Sequence, residues 1–124
     1  MHYIGKINKD IIGEYADKIV TDDVVLTEER RKHIYEEHNN DYELIIYNID
    51  KTVLNPNEVI EDLKNKDTIC LIDKLEANYL NVIVKLNTTN SIEHPQNSVM
   101  TAWIMRERNL KKLKEKNKTI YKRE

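Results

Sequence analysis

Residues 79–86 read YLNVIVKL. Strict alternation places Leu80, Val82, Val84 and Leu86 on one face and Tyr79, Asn81, Ile83 and Lys85 on the other, the period of a half-buried strand. The same period runs through residues 98–105, SVMTAWIM, with Val99, Thr101, Trp103 and Met105 opposite Ser98, Met100, Ala102 and Ile104. Upstream, Thr68–Ile72 is an apolar run with β-branched residues, and Val59–Leu63 reads as a short edge strand. Nothing between these segments carries a crossover helix, so hairpins join them and the sheet is expected to be antiparallel. Residues 87–97, NTTNSIEHPQN, form a polar loop of 11 residues with few apolar anchors, for which mobility is expected.

Working outward from these strands, the period changes to that of a helix. In residues 42–54, Ile45, Ile46, Ile49, Val53 and Leu54 form a helical stripe, and Pro56 ends it by biasing Asn55 away from the helical region. Residues 27–38, TEERRKHIYEEH, open with the capping residue Thr27 and two carboxylates where the positive helix end favours acids. A helix starting near Glu28 collects Arg30, His33, Ile34 and Glu37 on one face, either a solvated, salt-bridged surface or the wall of a site. Asp22-Asp23 signals a turn, and Val24–Leu26 a short extended piece leading into the cap. His2–Ile7 reads as a short strand, Lys9–Lys18 as a short helix or turn interrupted by Gly13, and the lysine-rich segment from about Asn109 as a helix. The expected fold is a single α+β domain over residues 1–124. N-terminal helices pack on a three- to four-stranded antiparallel sheet, and a basic helical tail covers about residues 107–124.

Composition narrows the function classes. With 34% charged and 40% hydrophobic residues in 124, the chain can build one core. No run approaches the ~18 apolar residues of a membrane span, and MHYIGKINKD lacks the apolar centre of a signal peptide. The lone cysteine, Cys70, excludes an intramolecular disulfide and reads as a small buried hydrophobe, pointing to a soluble protein of the cytoplasm. The net charge of −2 divides into a segment of +6 over residues 106–124 and a body of −8 before it. Such a tail suits polyanions or simply solvation.

Two glycines cannot make a phosphate-cradling loop, and no Cys/His zinc pattern or nucleophile elbow is present. His33 and His38 are five residues apart, so a helix turns them about 140° from each other and they do not converge on a metal. What remains needs neither metal nor cofactor. An imidazole exchanges its proton near neutral pH, so His33 is a candidate general base or acid. Lys85 is a charge set among strand valines, and Ser98 and Thr101 are hydroxyls on the strand expected to pair beside it. RNA cleavage by internal transfer asks for little more than a proton acceptor, a proton donor and groups that hold the charged phosphorane, because the 2′-hydroxyl supplies the nucleophile.

The order VVLTEERRKHIYEEH, a helix, NPNEVIED, a strand with VIVKL and then NSVMTAWIM resembles the phage-associated branch of the barnase–EndoU–colicin–RelE-like (BECR) nucleases over about residues 5–110. That family has a histidine-bearing helix, a proline turn, a lysine in the penultimate strand and an N-S-x-x-T last strand; Glu37 stands where a basic residue is usual. The resemblance implies N-terminal helices on a four-stranded antiparallel sheet and metal-independent ribonuclease activity, in a toxin or phage or mobile-element effector. It assigns His33, His38, Lys85 and Thr101 to catalysis, and Asn97 and Ser98 to the last strand's polar positions. Arg30, Trp103 and Arg106 join Asn97 and Ser98 as substrate contacts. The implied partners are RNA, whether tRNA or mRNA, and a cognate inhibitor protein, with no membrane. The alternative is an inactive BECR-fold module that sequesters a host protein or RNA; a weaker third reading is a metal-dependent hydrolase using His33, Glu37 and His38.

Overall fold

The computed structural model describes residues 2–89 and 95–124. Its centre is the expected hairpin run: β3 (Glu58–Glu61), β4 (Thr68–Lys74), β5 (Tyr79–Lys85) and β6 (Asn97–Met105) pair antiparallel in sequence order. The sheet does not stop there. β1 (His2–Lys6) and β2 (Asp23–Leu26) extend it beyond β6, and β7 (Lys118–Lys122) extends it beyond β3. The expectation of a three- to four-stranded antiparallel sheet is therefore corrected to a seven-stranded mixed sheet, ordered β1-β2-β6-β5-β4-β3-β7, within the α+β class. The mixed character comes from one pair: β2 runs parallel to β6, with Val24 opposite Asn97 and Val25 opposite Ser98.

β1 and β2 fall where the sequence shows a short strand and an extended piece, but their joining to the sheet beyond β6 has no local signal, and β7 was read as part of a helix. β7 closes the supposed helical tail: α3 (Glu107–Lys116) ends at Asn117, and Thr119, Ile120 and Tyr121, poor helix formers but good strand formers, return along β3. Lys9–Ile11 and Gly13–Asp17 are short 3-10 helices with Gly13 at φ 59, a conformation that suits glycine. The centre of the polar loop after β5, residues 90–94, lies outside the described residues.

The helices follow their sequence signals. α1 (Glu28–Glu37) begins where Thr27 Oγ1 accepts from the Arg30 N–H at 3.2 Å, a cap worth about 1 kcal/mol. α2 (Tyr42–Leu54) lays Ile45, Ile49 and Val53 on one face of the sheet, against a core that includes Leu71, Leu80, Val82, Val84 and Val99. It is pinned there by Asp73, whose nearly buried carboxylate takes a bond from Thr52 Oγ1 at 3.2 Å and an ion pair from Lys51 at 3.3 Å. On the other face, α3 covers only one end. Leu110 packs with Ile60, Cys70, Ile72 and Met105, and Lys114 pairs with Glu58 at 2.7 Å. The other end of that face, where β5 finishes and β6 begins, is left open.

β6 carries a correction that shapes this open end. Ile83 faces Thr101 and Val84 faces Val99, so Met100 is bulged out of the ladder. The extra residue shifts the phase of the strand. Val99 and Ala102 consequently share the α2 side, whereas Ser98, Thr101 and Trp103 share the other, an arrangement that strict alternation forbids.

Candidate active site

A groove of about 1030 Å³ occupies the open end of the sheet. Its floor is Ile83 and Lys85 from β5 with Ser98, Met100, Thr101 and Trp103 from β6. One wall is the first turn of α1, supplying Thr27, Glu29 and Arg30; the other is the connection from β3 to β4, from Asp62 to Thr68. α1 reaches this place because β2 pairs with only the first two residues of β6, and the helix that follows it runs along the rest of that strand.

The far wall is held rigid by its own hydrogen bonds. Asp62 accepts from the backbone N–H groups of Lys64 (2.9 Å) and Asn65 (3.2 Å) and from the Asn65 amide (2.9 Å). Asp67, at φ 54, accepts from Thr88 Oγ1 at 2.8 Å. Both carboxylates are thus committed to loop structure. Arg30, Lys66 and Lys85 balance Glu29, Asp62 and Asp67 in formal charge, so the groove is not a strongly positive trough. The exposed Lys85 ammonium donates to the Lys66 carbonyl at 2.7 Å, which leaves two of its three protons for an anion. Lys85 is the register partner of Ser98. Direct cross-strand partners lie about 5 Å apart and diagonal ones about 7–8 Å, so lysine, serine and threonine can meet one phosphate.

The groove therefore gathers Arg30, Lys85, Ser98, Thr101 and Trp103 from among the residues picked out in the sequence, and leaves the others outside its lining. His33 is exposed, with Glu29 and Arg30 as its i−4 and i−3 neighbours. It stands one turn farther along the same flank of α1, with Cβ atoms about 5–6 Å away. His38 caps the end of α1, its ring centroid 6.1 Å from that of Trp103 and tilted by 32°. Asn97 is fully buried: its Oδ1 accepts from the Asn87 N–H at 2.8 Å, and its Nδ2 donates to the carbonyls of Thr21 (2.7 Å) and Asp23 (3.0 Å). It is a clamp joining β2, β6 and the loop after β5, with no face toward the groove. Arg106 is exposed at the start of α3, away from the lining. Glu29, Lys66, Gln96 and Met100 line the groove without having been singled out. The wall residues carry no sequence signal, but a second carboxylate beside Arg30 at the mouth of α1 was readable. Among the described residues, no three His, Cys, Asp or Glu side chains cluster as metal ligands would, His33, Glu37 and His38 included.

The model of the family described as phage-Barnase-EndoU-ColicinE5/D-RelE like nuclease2, PBECR2, matches residues 2–122. The chain belongs to PBECR2. No curated protein and no solved structure matches this PBECR2 chain. Membership makes it a nuclease of the BECR type with nucleic acid as its substrate class, and the match takes in every element that builds the groove. No helix among the described residues of the PBECR2 chain is long and apolar enough to cross a membrane.

Proposed function

We propose that the protein is a metal-independent endoribonuclease, a toxin or a phage or mobile-element effector acting on cytoplasmic RNA, whether tRNA or mRNA, and restrained by a cognate inhibitor. The observation that carries this reading is the bulge at Met100, which sets Ser98, Thr101 and Trp103 on one side of β6 beside Lys85 and Arg30. Cations and hydroxyls converge there with an aromatic face, the set that holds a phosphodiester and stacks a splayed base. In the proposed reaction the 2′-oxygen attacks phosphorus and the bond to the 5′-oxygen breaks, leaving a 2′,3′-cyclic phosphate and a free 5′-hydroxyl. Lys85 and Arg30 stabilise the charge that builds on the phosphorane, and Ser98 and Thr101 donate to its oxygens. His33, at the mouth, carries one of the two protons, from the 2′-hydroxyl or to the 5′-oxygen, water in the open groove carries the other, and His38 braces Trp103. Two of the three groove carboxylates, Asp62 and Asp67, are occupied by loop hydrogen bonds, which supports a route without an ion.

Purified protein should cut RNA in EDTA, leave cyclic-phosphate ends, spare DNA and lose activity with Lys85→Ala or His33→Ala. A requirement for added divalent metal, or equal cutting of DNA, refutes it. One observation favours a second reading: no imidazole lines the groove among the described residues. RNA or a host protein bound tightly and left intact would make the domain a sequestering module instead.

A further inference from the structure

α3 lies on the same sheet face as the groove and borders it: Leu110 and Leu113 belong to one apolar cluster with Ile83 and Trp103, which also line the groove. The inward stripe of the helix is Leu110, Leu113 and Lys114, the last paired with Glu58. At 100° per residue, Arg108, Lys112 and Lys116 fall at i, i+4 and i+8 on the opposite, outward side. All three are exposed, and none is in an ion pair among the described residues. Nothing in the fold asks for this ridge. Like charges one turn apart weaken a helix. Arg108 stands in the first turn, where the helix dipole repels a cation. The ridge also leads somewhere. α3 ends at Asn117, whose Oδ1 accepts from the Leu63 N–H at 2.9 Å and whose Nδ2 donates to the Leu113 carbonyl at 3.0 Å. Leu63 belongs to the connection between β3 and β4 that forms the far wall of the groove, on which Lys64 and Lys66 are exposed. The Lys66 carbonyl in turn takes a bond from Lys85 at 2.7 Å. Cations thus run from the outer side of α3, over the wall, to the groove floor.

We infer that the ridge of Arg108, Lys112 and Lys116 is a docking track for single-stranded RNA, holding the backbone that flanks the strand in the groove. This rests on the nucleic-acid reading of the groove and adds to it a minimum length of substrate. The distribution of charge argues for it. In the groove Arg30, Lys66 and Lys85 are matched by Glu29, Asp62 and Asp67, so it can position a phosphodiester but gives a polyanion no net attraction. Residues 106–124 carry +6 against −8 for the rest of the chain, so the attraction that nucleic acid binding draws on is concentrated here. Side chains four apart rise ~6 Å along a helix, which sets three cations in a line ~12 Å long. A cationic line joined to an aromatic platform is how proteins hold single strands, and Trp103 is the platform at the groove end. An acidic protein would meet the same charges, but not the path onward to hydroxyls and an aromatic face.

The probes are fluorescein-labelled, uncleavable 2′-O-methyl oligouridines of about 4 and about 12 nucleotides, titrated into the full chain by anisotropy. The longer probe should bind about 30-fold or more tighter at low salt, and its log K should fall more steeply with log salt by about 2, three phosphates at about 0.7 each. Arg108→Gln, Lys112→Gln and Lys116→Gln together should remove that gain and that steepness while leaving the short probe's Kd within about twofold. The same variant should keep or raise the wild-type Tm, because glutamine is a good helix former and the repulsion is gone. Lys111→Gln, Lys122→Gln and Arg123→Gln, which take the same charge from the same segment off the ridge, should change the slope by less than about half as much. No length gain in the wild type, an equal loss from the off-ridge variant, or polyglutamate displacing the long probe as well as unlabelled RNA does overturns the inference. Ridge-dependent binding of the long probe without any RNA cleavage upholds it and sinks catalysis. Cleavage of long and short RNA with equal kcat/KM sinks the track alone, and binding of neither probe sinks the nucleic-acid reading with it.

Discussion

Replacing Asn97 with alanine tests whether this residue builds the site or touches the substrate. The side chain is fully buried and makes three hydrogen bonds, to the Asn87 N–H at 2.8 Å and the Thr21 and Asp23 carbonyls at 2.7 and 3.0 Å. Asn97→Ala leaves one donor and two acceptors short in a dry place. An orphaned buried group costs about 1–3 kcal/mol, and a carbonyl with a second lone pair sits at the low end, so the total is about 3 kcal/mol. Against a typical stability of about 5–15 kcal/mol, that is a large share, and it should lower Tm by about 10 °C. Urea unfolding followed through Trp103 fluorescence measures it, with the midpoint falling and the slope unchanged. Asn97→Asp should be worse, because a carboxylate would face two carbonyl oxygens. A loss below about 1 kcal/mol, or a variant of full stability that has lost RNA affinity, would refute the clamp.

Lys85→Ala should lower kcat about 10²- to 10³-fold at unchanged Tm, since the side chain is exposed and its one internal bond is to a loop carbonyl; unaltered cleavage would remove Lys85 from the proposed chemistry. Thr27→Ala should cost about 1 kcal/mol in urea unfolding and also weaken RNA binding, because the turn it caps carries Glu29 and Arg30. Burial pushes the Cys70 thiol from the usual 9.0 up to about 12, and burial with the Glu61 hydrogen bond pushes the Tyr15 phenol from 10.0 up to about 12. The folded chain keeps both protons where the unfolded chain releases them. Their contribution is therefore whole below pH 9 and drains away as pH rises toward 12. Cys70→Val should flatten part of that alkaline fall in Tm, and native Cys70 should resist alkylation at pH 8 until the chain is unfolded.

Much of this molecule was written in local pattern. Thr27 marked the start of α1, the isoleucines of α2 gave its buried face, and YLNVIVKL gave both faces of β5 correctly. The resemblance to BECR nucleases, carried by short motifs in order, agrees with the family match over residues 2–122. What escaped depends on partners far away in sequence. Val24–Leu26 showed its extended form, but not that β2 would lie between β1 and β6 and run parallel to β6. Met100 looks like any alternating position until the ladder on both sides shows it bulged. Asn97 looked like a rim residue, because an asparagine that contacts ligand and one that ties three backbones together are the same letter.

The clamp from Asn97 to Thr21 spans 76 positions of chain. The groove is assembled over almost as long a stretch: α1 furnishes one wall early, and β6 completes the floor only near the end. At a synthesis rate of about 5–20 residues per second, a ribosome would need roughly 4–15 s to go from the first wall to the last floor strand. Pairings this distant also close slowly. A half-made or truncated chain, whatever it later does to RNA, therefore has nowhere to hold one.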